Sequence, residues 1–287
     1  MTAVLYDVPG PRARRRSRLQ GLVGLAVVGV LVVLVLLRLS SKGQLEGERW
    51  AVLGDPDVQQ VLFDGLVGTL KAAAVAALLS VVAGVLLAVG RLSSRVGVRG
   101  AVRAWVELFR GLPLLLVILF LYLGGPSVGV TSSLFWSLVI GLTLYNSAVI
   151  AEIVRAGVLS LPRGQREGAL AVGLTPAQAM RHVLLPQAFR VMLPSLISQV
   201  VVLLKDTSLG FIIGYAELLR TGRNVVEFLG GAYSLPIYVA VSLIYIALNL
   251  ALSTLAKRID QRQRRSRTTP ATVRPGTPVG AALSDEA

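Results

Sequence analysis

The charged and nucleophilic residues of this chain are too few and too scattered to build a catalytic centre. It has no cysteine and a single histidine, His182. Thiol nucleophiles, disulfides, His-based triads and Cys/His metal clusters are therefore excluded. No G-x-x-x-x-G-K-[ST] run occurs, so no P-loop can cradle nucleotide phosphates. We expect no catalytic residue, no metal and no cofactor. What remains is charge in apolar surroundings. Lys71, Lys205 and Asp206 stand in strongly apolar runs, where a lysine or aspartate at a helix centre costs about 2.5–3.5 kcal/mol. Groups of that kind face a pathway or each other. Lys205 and Asp206, with Thr207 and Ser208 adjoining, suit either a zwitterionic solute or a structural ion pair. Lys71 lies near the outer end of its run, where snorkelling also accounts for it. Asn146 and Ser147 are candidates for a pathway or for an interhelical hydrogen bond.

The elements that must position these groups are membrane helices. The 287 residues are 54% hydrophobic and only 15% charged, against roughly 25% charged in a soluble domain. Mean hydropathy is +0.71. The net charge of +14 does not point to nucleic acid, because the arginines sit in blocks between apolar runs. Six runs approach the roughly 20 apolar residues of a transmembrane helix: 19–39, 65–90, 111–130, 134–151, 191–212 and 236–256.

The cations alternate by loop. Arg12, Arg14, Arg15, Arg16 and Arg18 precede the first run, and Arg91, Arg95, Arg99, Arg103 and Arg110 follow the second. Arg155, Arg163, Arg166, Arg181 and Arg190 follow the fourth, and Lys257, Arg258, Arg262, Arg264, Arg265, Arg267 and Arg274 follow the last. The intervening loops hold few cations, balanced or outnumbered by acids such as Glu46, Glu48, Asp55, Asp57 and Asp64. Cytoplasmic loops carry the excess of Lys and Arg, so both termini are read as cytoplasmic. The run from Leu19 to Leu37 exceeds a signal-peptide core and no A-x-A site follows it, so it reads as a retained anchor. Trp50, Trp105 and Trp136 read as interface anchors. Residues 215–229 read as an amphipathic helix on the outer surface.

One loop has the marks of a docking element. Pro162 breaks the chain, Arg163–Val172 suits a short helix, and Gly173 suits the left-handed position that ends it. Thr175-Pro176-Ala177-Gln178 is a start signal with N-cap, proline at the first helical position and capping box. The second helix is expected to run to about Leu185, where Pro186 stops it. Ala179, Met180, Val183 and Leu184 supply an apolar face. On these features alone, docking and mere packing under the bilayer are equally open.

The order of residues from Glu167 to Pro186, EGALAVGLTPAQAMRHVLLP, resembles the EAA loop of ABC-importer permeases. Glu167, Ala169, Gly173, Leu185 and Pro186 keep the family spacing; Gly168 replaces the second Ala, and Val183 the usual Ile. Phe109-Arg110-Gly111-Leu112-Pro113, Ala151-Glu152-Ile153-x-Arg155-x-Gly157, Leu161-Pro162-x-Gly164-Gln165 and Lys205-Asp206-Thr207-Ser208-Leu209 resemble the polar amino-acid (histidine/glutamine/glutamate) branch. The extra N-terminal run and the KDTSLG-x-x-I-G-Y-x-E stretch are most similar to glutamate-uptake permeases of actinobacteria.

That resemblance implies an all-α, polytopic fold of six transmembrane helices, an extra N-terminal one plus a five-helix type I permease core, in the bacterial plasma membrane. Charge, apolar length and composition give a basic cytoplasmic N-terminus at 1–18, the extra helix at 19–39 and a disordered cytoplasmic tail at 258–287; the resemblance implies a transmembrane domain at 60–257 with its EAA-type loop at 161–186. It also implies an ATPase dimer gripped through Glu167, Gly168, Ala169, Gly173, Leu185 and Pro186, with Glu167 as the anchor. A sister permease or a second copy, an extracytoplasmic substrate-binding protein and a polar amino acid, glutamate foremost, complete the expected partners beside membrane lipid. Nucleic acid is not among them. Glu152 and Arg155 would orient the loop. The competing reading is a self-contained secondary transporter, opposed by the lack of an internal repeat and by scarce intramembrane carboxylates. An intramembrane enzyme has almost nothing to build a site from.

Overall fold

The computed structural model describes residues 10–129 and 133–265, and among them every regular element is helical. In chain order these are α1 (Pro11–Ser41), α2 (Gly47–Ala51), α3 (Pro56–Arg91), α4 (Val96–Gly111), α5 (Leu114–Leu119) and α6 (Leu134–Leu159). There follow α7 (Arg163–Ala171), α8 (Pro176–Ala179), α9 (Leu185–Asp206), α10 (Gly210–Ile213), α11 (Leu218–Leu229) and α12 (Ser234–Arg265). The chain divides into two units, residues 1–62 with 222–240, and residues 63–221 with 241–287.

In the first unit, α1 forms on a run in which Gln20 is the only polar side chain between Leu19 and Leu37. Its leucines and valines are exposed all round, as suits a helix solvated by lipid. Gly43, at φ +65°, turns the chain toward α2. The Asp55 carboxylate then accepts from the Asp57 N–H at 2.8 Å, and Pro56 opens α3 at the position where a missing N–H costs nothing.

The second unit is organised round α6, against which α4, α5 and α9 pack. One apolar cluster joins Ala88, Val106, Ala148, Ile150, Ala151, Val154, Leu184, Ala188, Met192 and Leu196. Another joins Ala72, Ala76, Ile118, Leu138, Leu142, Leu203, Leu204 and Ile213. Small residues let the helices approach closely, as membrane helix interfaces require. At Gly84 an added Cβ would lie 2.6 Å from Ile150 Cγ2.

The fold is that of a multi-pass membrane protein with five long apolar helices, and a sixth span if α4 and the helix after it are counted together. Three expectations change. The third apolar run, 111–130, does not make one straight span. Leu112 is extended at φ −88°, ψ 138°, as the residue before a proline prefers. The chain therefore leaves α4 at a 101° bend. The helix beyond, α5 and its π turn Phe120–Gly124, is roughly 16 Å long at 1.5 Å per residue, well short of the ~30 Å core. Second, Pro186 does not stop a helix. A π turn at Met180–Leu184 lets helical structure continue from Pro176 to Ile213. Such a turn widens the ladder where a proline ring would otherwise meet the carbonyl four residues back. Third, residues 258–265, expected as tail, are helical within α12; residues 266–287 lie outside those described.

Candidate functional site

The loop between α6 and α9 is shaped first by local chemistry. Pro162 precedes α7, and Gly173 follows it at φ +86°. The Gly173 N–H donates to Leu170 O at 3.0 Å and the Leu174 N–H to Ala169 O at 3.2 Å, the paired bonds of a Schellman end. One residue later Thr175 caps α8. Its Oγ1 accepts from the Gln178 N–H at 3.3 Å, and its own N–H donates to Gln178 Oε1 at 2.9 Å. A capping box thus starts directly after a Schellman end, leaving no slack between the two helices.

The loop is also tied to the helix that follows. Gln187 Nε2 donates to Gln165 Oε1 at 2.8 Å, linking α7 to α9. Ala169, Ala179 and Leu184 are buried, and Leu184, Met180 and Leu185 pack in or against the cluster around α6. The apolar face expected of Ala179, Met180, Val183 and Leu184 is therefore largely turned inward. The exposed surface is different: Glu167, Gly168, Ala171, Val172 and Gly173 lie open, with Val172 at 78% exposure. Among the described residues Glu167 has no hydrogen-bond or ion-pair partner. Of the six residues singled out in this loop, Glu167, Gly168 and Gly173 are on the free surface, and Ala169 and Leu185 point into the fold. Pro186 is exposed in the first turn of α9.

Glu152 gathers three arginines. Arg91 Nη1 is 2.5 Å from Oε2, Arg155 Nη2 2.5 Å from Oε1, and Arg110 Nη1 3.9 Å from Oε2. These come from the ends of α3, α6 and α4, so one carboxylate pins three helix ends. Arg155 and Glu152 were expected to orient the loop; Arg91 and Arg110 are the partners that spacing along the chain could not reveal.

The candidate pathway residues do not form one cluster. Asn146 is buried, donates to Leu142 O at 2.9 Å and accepts from Gln199 Nε2 at 2.8 Å. It belongs to the α6–α9 seam. Lys71 is exposed, with its Nζ 5.6 Å from the Phe135 ring centroid. Lys205 and Ser208 line an open cleft of about 370 Å³ with Tyr245, Asn249 and Leu219. Thr207 is buried and bonds back to Leu204 O at 2.7 Å. Asp206 is half-buried and forms no ion pair within 4 Å among the described residues, so the Lys205–Asp206 pair is not a salt bridge.

Next to this cleft lies Glu217, the last residue of the KDTSLG-x-x-I-G-Y-x-E stretch, to which sequence alone assigns no role. Glu217 is fully buried and caps α11, accepting from the N–H groups of Leu219 and Arg220 at 2.9 and 2.7 Å. Tyr245 Oη donates to it at 2.7 Å. Thr69 Oγ1 accepts from the Leu218 N–H at 3.0 Å, and Tyr215 Oη donates to Gly68 O at 3.0 Å. Burial pushes the Glu217 carboxyl up from its ordinary range, against the downward pull of these hydrogen bonds. The α11 helix starts at Leu218 rather than at 215 because Gly214, at φ +86°, and this inward carboxylate define its beginning. Gly214 followed by an acid before an apolar pair was the available signal.

Comparison with known proteins gives a consistent picture. The family described as "Binding-protein-dependent transport system inner membrane component" matches residues 80–265. The chain is 40% identical over 233 residues to the glutamate transport system permease protein GluD of Corynebacterium glutamicum, covering 80% of this chain and 85% of that one. It is 34% identical over 203 residues to the probable glutamine ABC transporter permease protein GlnP of Bacillus subtilis, covering 70% and 93%. Among solved structures it resembles an amino acid ABC transporter crystallised with histidines, with TM-score 0.67 and 31% identity over 73% of this chain and 97% of that one. The inward-facing MetNI methionine ABC transporter shares the fold, with TM-score 0.63 and 24% identity over 73% and 99%.

Proposed function

We propose a working role for this chain from the premise that it belongs to the binding-protein-dependent transport system inner membrane component family, as the permease subunit of an amino-acid ABC importer. It is a multi-pass membrane component. The reading as a self-contained secondary transporter receives no support from the family or the relatives. The solute is glutamate, by analogy with the glutamate permease at 40% identity. Energy arrives from ATP hydrolysis on a separate ATPase dimer. Residues 161–186 are the contact, on the cytoplasmic side with both termini. The permease works as a pair, with a second copy or a sister subunit, and an extracytoplasmic binding protein delivers the solute.

The observation that carries this reading is the exposed tip of a loop that has no internal slack. Glu167 and Val172 present one free carboxylate and one free apolar side chain. The Schellman end, the capping box and the Gln165–Gln187 bond transmit any push on that tip to α9. Lever motion of this kind moves helices between two packed states. Glu167 would be held by charge-assisted hydrogen bonds from the ATPase. Glu152, with its three arginines, keeps the ends of α3, α4 and α6 moving together. Lys205 and Ser208, beside Tyr245 and Asn249, are the candidate solute contacts; Asp206, Thr207, Asn146 and Lys71 support the surrounding helices.

The test is uptake of labelled glutamate into proteoliposomes holding the permease, its ATPase and the binding protein. ATP-dependent uptake competed by unlabelled glutamate, but not by arginine or histidine, is expected. ATP-dependent uptake of another amino acid in its place would overturn the glutamate assignment.

A further inference from the structure

The apolar run of α1 extends from Leu19 to Leu37, about 28 Å at 1.5 Å per residue, which matches a hydrocarbon core of ~30 Å. Arg38 and Lys42 therefore stand at the headgroup layer. Ser234, Leu235 and Tyr238, from the first turns of α12, are beside them. Together with Leu39 and Gln44 these residues line an open cleft of about 510 Å³. No carboxylate lines it. The nearby cation Arg49 is already committed, 3.5 Å from Glu46 and donating to Lys42 O at 3.2 Å. Among the described residues the side chains of Arg38 and Lys42 have no ion-pair or hydrogen-bond partner. Two cations sharing one cleft at the edge of a low-dielectric layer repel each other unless an anion lies between them. The turn that carries Lys42 is fixed, since Trp50 Nε1 donates to Gln44 O at 3.0 Å and Gly43 adopts φ +65°. A tryptophan is also what an interfacial position favours.

We propose that this cleft binds one anionic phospholipid through its phosphate. Arg38 and Lys42 take the phosphate oxygens, the Tyr238 hydroxyl donates a further bond, and Leu39 and Leu235 face the first carbons of the acyl chains. The lipid fastens the end of α1 to the start of α12. Lipid is the occupant, rather than soluble phosphate, because the cleft opens at headgroup depth and Leu39 and Leu235 line it beside the cations.

The test is native mass spectrometry of the purified full-length chain, delipidated and then titrated with phosphatidylglycerol or with phosphatidylcholine of the same acyl chains. One phosphatidylglycerol should be retained, and no phosphatidylcholine. The R38Q/K42Q double variant should bind it roughly thirtyfold more weakly, from the loss of two interfacial cations. Both residues are exposed, so the substitutions leave the apolar clusters intact. R12Q/R16Q removes the same charge at the other end of α1 and should retain the wild-type affinity. Undiminished binding by R38Q/K42Q, or an equal loss in R12Q/R16Q, would overturn the site. Displacement of the lipid by millimolar inorganic phosphate would overturn the assignment to lipid.

Discussion

Two turns in this molecule use the same device for opposite ends. At Gly173 and at Gly214 a helix ends in a left-handed glycine, φ +86° in both cases, and a capped helix starts within a few residues. In the first turn the cap is local, Thr175 with Gln178, and the nearby carboxylate, Glu167, is exposed with no partner among the described residues. In the second the carboxylate is itself the cap. Glu217 is buried and saturated by two backbone amides and a tyrosine. A turn that must hold its own helices together takes its charge inside and satisfies it. The other turn leaves its charge out, as the proposed grip by another protein requires. The contrast separates an internal joint from an external handle without reference to any relative.

Substitutions can break that comparison, and their expected effects on stability differ widely. The largest belongs to Glu217→Leu, which strands the Tyr245 hydroxyl and two amides. Each buried, unsatisfied donor costs about 1–3 kcal/mol, and loss of a cap about 0.5–2 kcal/mol. We expect about 2–4 kcal/mol less stability, read as a lower Tm in detergent; a Tm unchanged from wild type would mean the joint is not structural. The pH dependence has a definite sign. Burial raises the folded Glu217 carboxyl above its ordinary 4.5, so the folded state holds that proton more tightly than the unfolded one. The resulting stability is fully present below 4.5 and declines as pH rises through the folded value. Glu217→Gln cannot ionise, so the Tm of wild type should fall relative to that of Glu217→Gln as pH rises through the folded value.

Smaller effects belong to the handle. Gly173→Ala meets no atom within 4 Å, so its cost is the left-handed backbone alone, about 1–2 kcal/mol. The same substitution should depress uptake more than stability, because it changes the angle between α7 and α8. Gly168→Ala also meets open space and sits inside α7, where alanine is favoured by about 1 kcal/mol. A slightly raised Tm with uptake intact is expected; lost uptake would show that the ATPase requires a bare backbone at that position.

The sequence showed the handle better than the joint, for physical reasons. Pro162, Gly173, Thr175, Pro176 and Gln178 act on backbone within a few residues, so their consequences can be read from spacing. The apolar runs showed the long helices for the same reason. Pro186 misled because a stop signal presumes an α-helical ladder, and the π turn at Met180–Leu184 relieves the clash. The amphipathic helix α4 was hidden among its arginines, although Val102, Trp105, Val106 and Phe109 follow helical spacing. Glu217, Tyr245 and Thr69 come from distant parts of the chain and meet only in the fold. The same holds for Arg91 and Arg110 at Glu152, and for Gln199 at Asn146. No local pattern announces such pairings.

The most direct test of the account is Glu167→Arg in the reconstituted complex, measured for ATP-driven uptake alongside Tm. An exposed, unpaired side chain should change stability by no more than about 0.5 kcal/mol, while reversal of its charge should abolish uptake. Unchanged Tm with lost uptake is the predicted result. Normal uptake in that variant would contradict the claim that this loop is where the ATPase takes hold.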